Sequence, residues 1–316
     1  MTDPVREIAD AVLYEGHVLW PYRRSSIKNQ QRWTFGGVYP EAYAREHSDR
    51  SIVQAECLLQ GDEVSIDVEV RFLHVVHRQA TRGEATAVDE LAGFLTWDET
   101  TERTVELHDV RGEARQPIAV AAGRGVEPVE GGALVRTWQQ LEGHVEARVE
   151  PLGEGLQRAR VAIRNESLWP EKTRDGAVRR TFLSAHVVLR ARAGEFVSAT
   201  DPPEPLQAAT ADLRQDGLWP VLVGEEGQRD IVLAAPIILS DYPQIAPESP
   251  GDFFDGGEID GLLVLNILGM TDEEKREMRA GDPRARELLE RTEAMTPEEM
   301  GRLQGAIREL RPVGGP

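Results

Sequence analysis

Apolar and polar residues alternate over much of the middle of the chain. In the clearest run, residues 64–72, every even position is apolar and every odd position is polar. A spacing of two is typical of a β-strand with one face on a core and the other in solvent. Similar patterns predict further strands at residues 133–139, 143–150, 156–165, 182–192 and 229–239.

The connections between these strands indicate how they pair. Residues 150–155 contain one proline and two glycines between two predicted strands, which predicts a hairpin. Few long helical patterns separate the strands between about residues 51 and 240. We therefore predict an α+β, mainly β fold. Its body is an antiparallel β-sandwich or is barrel-like, with an N-terminal helix and a C-terminal helical tail.

The N-terminal helix is predicted by its start signals and its periodicity. Asp3 is suited to the N-cap and Pro4 to the first helical position. Apolar residues then recur at helical spacing until Gly16, namely Val5, Ile8 and Val12.

The C-terminal part carries three more helix start signals. Residues 271–274 and 296–299 read as capping boxes, and Asp282-Pro283 as an N-cap followed by a first helical residue. The last helix would carry an apolar stripe made of Met300, Leu303, Ile307 and Leu310. The chain thus divides into an N-terminal segment (1–50), a β-rich body (51–261) and a helical tail (262–316) that packs on the body.

Charge and cysteine content limit the function classes. The formal net charge of −19 would repel nucleic acid and anionic membranes, so neither is an expected partner. Cys57 is the only cysteine, which excludes an intrachain disulfide, and its apolar neighbours predict that it is buried. The N-terminus lacks the features of a signal peptide, and no apolar stretch approaches the length of a membrane span. We expect a cytoplasmic protein without membrane insertion.

One segment concentrates positive and aromatic side chains within this acidic chain. It comprises Trp20, Tyr22, Arg23, Arg24, Lys28, Arg32, Trp33 and Phe35. Guanidinium groups and ring faces together suit a carboxylate-rich peptide or a phosphate. The alternative is that these cations pair with the protein's own carboxylates.

Candidate metal ligands are few. His74 and His77 lie in a strand-like run, where a spacing of three places them on opposite faces, so they cannot share one metal. Four carboxylates lie close together in a glycine-containing loop that does not match an EF-hand: Asp252, Asp255, Glu258 and Asp260. A solvated turn is the alternative for this loop. No phosphate loop, nucleophile elbow or dinucleotide fingerprint occurs, and neither a cofactor nor a bound metal is predicted.

Two regions of the chain resemble a known family. The first runs from Ala11–Gly16 through Trp20–Arg23 to Ser26, Lys28–Gln30, Arg32-Trp33 and Phe35-Gly36. The second comprises Asp272–Lys275, Asp282–Ala285, Arg291-Thr292 and Leu303–Pro312. Together they resemble a bacterial, particularly actinobacterial, family encoded among the accessory genes of uptake [NiFe]-hydrogenase clusters. The resemblance implies a helper in hydrogenase assembly or function. A hydrogenase subunit itself would need several metal-binding cysteines.

Three functional hypotheses follow. The first is a non-catalytic accessory protein, a scaffold or assembly chaperone, whose basic-aromatic segment binds a hydrogenase subunit or a maturation factor. The second is a hydrolase or metal-dependent enzyme in which folding brings residues 252–260 close to a histidine. The third is a metallochaperone, which needs histidine or cysteine ligands that converge in space. The oligomeric state stays open.

Overall fold

The computed structural model describes residues 4–14, 36–83, 86–153, 155–244, 267, 269–280, 283–294 and 296. The helices of this part are α1 (Pro4–Tyr14), α2 (Glu41–His47), α3 (Arg174–Val178), α4 (Gln207–Ala211), α5 (Asp272–Ala280) and α6 (Pro283–Ala294). The strands are β1 (Ile52–Arg82), β2 (Thr86–Val88), β3 (Glu90–Leu91), β4 (Phe94–Leu95), β5 (Trp97–Val110), β6 (Glu113–Val120), β7 (Gly123–Val129), β8 (Gly132–Trp138), β9 (Leu141–Gly153), β10 (Leu156–Asn165), β11 (Leu183–Phe196), β12 (Trp219–Leu222) and β13 (Ile231–Ala235).

The sheet is organised around β1, which is 31 residues long. Along β1, the first residues pair with β10 and later ones with β5. β1 also pairs with β11 and, beyond it, with β8. The register with β11 shifts between Gln60 and Ser65, which marks a bulge where the strand bends. One strand therefore belongs to both the body of the sheet and the extension formed with β7 and β8.

The main sheet is antiparallel, with the strand order β12-β13-β11-β1-β10-β9-β6. β5, which pairs with β1, also lies against β6 and β9 at the far end of this path. The sheet is therefore curled, and one apolar core receives side chains from β1, β5, β6, β9, β10, β11, β12 and β13. The predicted α+β, mainly β fold is confirmed.

Residues 64–72 show both the success of the alternating pattern and its limit. All five even positions are buried in the main core, as predicted. Arg71, on the opposite face, is also buried, because its guanidinium pairs with Asp10 of α1 and with Glu102 of β5. The predicted N-terminal helix thus covers part of a face that alternation alone assigns to solvent.

Helix α1 has a small apolar core of its own against the sheet. Val5, Ala9 and Val12 pack with residues of β11, β12 and β13, including Val188 and Leu233. The helical spacing predicted for the start of the chain therefore corresponds to a face that is buried in the structure.

The tail helices begin where their start signals lie. The backbone N–H of Thr271 donates to Glu274 Oε2 (2.8 Å), and the N–H of Glu274 donates to Thr271 Oγ1 (3.3 Å), so the first capping box is confirmed. Helix α6 begins at Pro283, as predicted. The capping box at 296–299 and the apolar stripe of residues 300–310 cannot be placed, since 297–316 lie outside the described residues. No described helix combines the length and apolar character that crossing a membrane requires.

Candidate functional site

The residues predicted from the sequence to bind a partner or a metal lie outside the described residues. They are Trp20, Tyr22, Arg23, Arg24, Lys28, Arg32, Trp33 and Phe35 in the basic-aromatic segment, and Asp252, Asp255, Glu258 and Asp260 in the acidic loop. Both sites stay predictions. The described part of the chain contains a different charged site.

This site is an open cleft of about 470 Å³ on the outer face of β1 and β10. We call it the arginine cleft. It is lined by Gln54, Glu56, Arg158, Arg160, Asp212 and Arg214. Every lining side chain is polar.

The alternating pattern of β10 places two arginines on the first wall of the cleft. Ala159 and Val161 point into the main core and are fully buried. Their neighbours Arg158 and Arg160 therefore project from the opposite face of the strand. Because β10 is an interior strand held by β1 and β9, both arginines stand on a rigid base.

The second wall is the segment that follows α4. It is attached to β1 by two reciprocal pairs of hydrogen bonds. The backbone groups of Gln54 and Asp216 exchange bonds of 2.8 and 3.0 Å. The side-chain amide of Gln215 accepts from the N–H of Glu56 (3.1 Å) and donates to its carbonyl oxygen (2.7 Å). These four bonds hold Arg214 and Asp212 in place opposite β10.

Glu56 links the two walls at the base of the cleft. Only 6% of this residue is exposed, although it carries a carboxylate. Its Oε2 accepts a hydrogen bond from the backbone N–H of Arg214 (2.9 Å) and lies 4.0 Å from Arg158 Nη1. The buried carboxylate therefore fixes the position of Arg214 and contributes a negative charge to the cleft.

The guanidinium groups differ in how far they are neutralised. Arg158 is bonded to Glu150, and this hydrogen bond is the main reason that the pKa of Glu150 lies below its usual value. Arg160 donates to the neutral side-chain amide of Gln54 (2.8 Å). Within the described residues, no carboxylate lies within ion-pair distance of Arg160 or Arg214.

The strand register determines which charged residues lie beside Arg160. Arg160 lies directly opposite Arg148 of β9 on one side and Glu56 of β1 on the other. Like charges at directly opposed positions of a sheet destabilise it. The positive charge of Arg148 is compensated by Glu150, whose Oε2 lies 3.1 Å from Arg148 Nε. The arrangement leaves Arg160 with spare hydrogen-bonding capacity for an oxyanion.

The histidines lie elsewhere. His77 Nδ1 is 2.6 Å from Asp98 Oδ1, and Arg179 Nη2 is 3.3 Å from the same oxygen. His74 is buried on the other face of β1, which confirms that the two histidines do not share a face. His144 contacts two carboxylates, Glu146 and Glu166, which the sequence did not indicate. The described residues contain no group of three or more His, Cys, Asp or Glu side chains arranged to hold a metal ion.

Cys57 is buried in the main core, as predicted. Burial, followed by the neighbouring carboxylate of Glu56, raises the pKa of its thiol to about 12. The thiolate form, which is the reactive one, is therefore disfavoured.

Sequence reasoning predicted the strand at 156–165 but not the cleft. The sequence did contain one signal for the cleft: Arg158, Arg160 and Arg164 all lie at even positions of that strand and therefore on the same face. The other lining residues come from β1 and from residues 212–214, which only folding brings together. Neither a protein-family model nor a curated protein matches this chain.

Proposed function

We propose that this protein is a non-catalytic accessory protein that acts in the cytoplasm and binds an acidic surface of a protein partner. The observation that carries the proposal is the arginine cleft, in which Arg160 and Arg214 face solvent without a carboxylate partner among the described residues. The family resemblance supports a hydrogenase subunit or a maturation factor as that partner.

Two properties of the cleft favour recognition of a protein. Arginine is prominent at the energetic centres of protein interfaces, because its fork of donors binds carboxylates in a fixed geometry. The four hydrogen bonds between β1 and residues 215–216 hold the cleft in shape before a partner arrives. Pre-organised groups lose little conformational entropy on binding.

The charge of the whole chain favours selectivity. A protein with a formal net charge of −19 repels acidic partners over most of its surface. A local group of arginines then determines where and in which orientation an acidic partner can approach.

The test is partner capture from the native host under conditions that induce hydrogenase. The tagged protein is compared with the double variant Arg160→Gln/Arg214→Gln. The matched control is Arg82→Gln/Arg124→Gln, which removes two exposed arginines from β1 and β7 at the extension of the sheet. Recovery of a hydrogenase subunit or maturation factor by the wild type and the control, but not by the cleft variant, supports the proposal. Equal recovery by all three proteins contradicts the role of the cleft.

A further variant tests the predicted basic-aromatic segment separately. Replacement of Arg23, Arg24 and Trp33 should abolish capture if that segment forms part of the same interface. Unchanged capture would restrict the interface to the cleft.

The alternative function is a hydrolase, and one observation favours it. The close contact of His77 with Asp98 resembles a histidine oriented by a carboxylate, an arrangement that suits a general base. An ester-hydrolysis screen with the wild type and His77→Asn tests it. Activity that is lost in His77→Asn and kept in Arg160→Gln/Arg214→Gln would favour the enzyme.

A further inference from the structure

We propose that the arginine cleft is a carboxylate-selective site in which Arg160 and Arg214 bind the oxyanion and Glu56 sets the selectivity. The inference rests on the proposed function in one respect, since it takes the carboxylate to be an Asp or Glu side chain of the partner. The ligand class itself is inferred from the charges and contacts of the cleft.

The charges in and beside the cleft favour an anion with a single negative charge. Three arginines and two carboxylates line the cleft, so its lining carries one formal positive charge, and Glu150 beside the lining is bonded to Arg158. A carboxylate has one negative charge at neutral pH, whereas a phosphate group carries close to two. A carboxylate therefore places less negative charge beside Glu56 and Glu150 than a phosphate dianion does, and the cleft should favour the carboxylate.

The position of Glu56 strengthens this discrimination. Its carboxylate is almost fully buried at the base of the cleft, where solvent screens its charge poorly. An anion that enters the cleft deeply is therefore repelled by the carboxylate of Glu56. Arg160 and Arg214 offset this repulsion for one oxyanion, because charge-assisted hydrogen bonds from guanidinium groups are strong.

The cross-strand pair of arginines gives a reason for the site to attract an anion. Arg160 faces Arg148 across the β9–β10 ladder, and its side-chain hydrogen bond goes to an uncharged amide. A bound carboxylate gives the guanidinium of Arg160 a charged hydrogen-bond acceptor, which the uncharged amide of Gln54 does not supply. Occupation of the cleft should therefore stabilise the fold as well as the complex.

The first experiment measures binding of a capped hexaglutamate peptide to the 316-residue chain by calorimetry at constant ionic strength. A capped hexaglutamine peptide, inorganic phosphate and glutarate are measured in parallel. We expect the glutamate peptide to bind and Arg160→Gln/Arg214→Gln to weaken its binding by about tenfold or more. The Arg82→Gln/Arg124→Gln control should bind as the wild type does. Equal binding by the two double variants would overturn the site.

The second experiment removes the negative charge at the base of the cleft. Glu56→Gln keeps an oxygen that accepts the N–H of Arg214 and removes the negative charge. We expect its affinity for phosphate relative to the glutamate peptide to rise about tenfold, which corresponds to one strong charge interaction. A purely structural role for Glu56 would weaken both ligands equally. An unchanged ratio between the two ligands, or a wild type that prefers phosphate, would overturn the selectivity.

The outcomes separate this inference from the proposed function. Peptide binding in the cleft without capture of a hydrogenase protein would support the site and contradict the named partner. Capture that persists in Arg160→Gln/Arg214→Gln, with no peptide binding by the wild type, would overturn the site and leave an accessory function through another surface. Tighter binding of glutarate than of the peptide would keep the carboxylate chemistry but overturn a protein side chain as its source.

Discussion

The guanidinium of Arg78 donates a hydrogen bond of 2.9 Å to the carbonyl oxygen of Ala280, a residue 202 positions further along the chain. Ala280 is the last residue of helix α5. Arg78 is buried in β1, where it also pairs with Glu99 and donates to the carbonyl oxygen of Leu95 (3.0 Å). A cation at a helix C-terminus satisfies free carbonyl groups and interacts favourably with the helix dipole. A buried residue of the sheet thus holds helix α5 of the tail in place.

Replacement of Arg78 should both destabilise the fold and release the tail. Arg78→Met leaves the carboxylate of Glu99 with less compensation and leaves the Ala280 carbonyl without this donor. We expect a loss of about 3 kcal/mol in the free energy of unfolding. Hydrogen exchange measured by mass spectrometry should become faster in residues 272–280.

The matched control for this prediction is Arg136→Gln. Arg136 also bonds to Glu99, with Nε at 2.8 Å from Oε2, and its second carboxylate partner is Glu127 of β7, not a residue of the tail. This variant should lower stability without a selective increase of exchange in α5. Similar exchange in both variants would show that the contact between Arg78 and Ala280 does not hold the tail.

Two buried histidines should make the protein sensitive to acid. Burial lowers the pKa of both His74 and His186 from 6.5 to about 4. Between these values the unfolded chain binds more protons than the folded one, so stability should fall as the pH decreases from 6.5 to 4. Each histidine contributes a loss of up to about 3 kcal/mol.

The test is chemical denaturation at several pH values. His186→Gln should reduce the slope of the unfolding free energy between pH 6.5 and 4. Measurement at pH 8, where the histidines are neutral in both states, separates the packing effect of the substitution. A slope identical to that of the wild type would show that His186 does not contribute to acid sensitivity.

How much of this architecture the sequence predicted depends on how strongly each strand alternates. The segment 64–72 was recognised because one of its faces is entirely apolar. The strand β5 was not recognised, because polar residues, mainly Thr and Glu, occupy both of its faces and many of its positions are half-buried. β6 and β7 each contain a proline, which weakens a strand signal. The pairing of Arg71 with Asp10 was also beyond sequence reasoning, since alternation does not show which face a distant helix will cover.

The position of Gln215 predicts a variant that affects the arginine cleft without touching its charges. Gln215→Ala removes two hydrogen bonds to the backbone of Glu56 and leaves both groups without these partners. We expect a loss of about 1–2 kcal/mol in stability, together with weaker binding of the glutamate peptide, because Arg214 is less well positioned. Gln207→Ala, at an exposed position of α4, is the control for both measurements. Peptide affinity that stays at the wild-type value would show that the attachment of this segment does not matter for binding.

The bend of β1 depends on a close approach of two backbone segments, and Gly194 makes that approach possible. A Cβ atom at Gly194 would lie 2.6 Å from the carbonyl oxygen of Gln60, and the φ of Gly194, +94°, is rarely adopted by other residues.

Gly227 has a similar φ of +89° with no atom close to the Cβ position. Gly227→Ala should therefore cost about 1 kcal/mol from the backbone conformation alone. Gly194→Ala should cost at least twice as much, because β1 and β11 must also move apart. Thermal and chemical unfolding of the two variants measures the difference. Equal losses would mean that glycine is required by the backbone conformation and not by the contact with Gln60, at the bend where the cleft-bearing part of β1 ends.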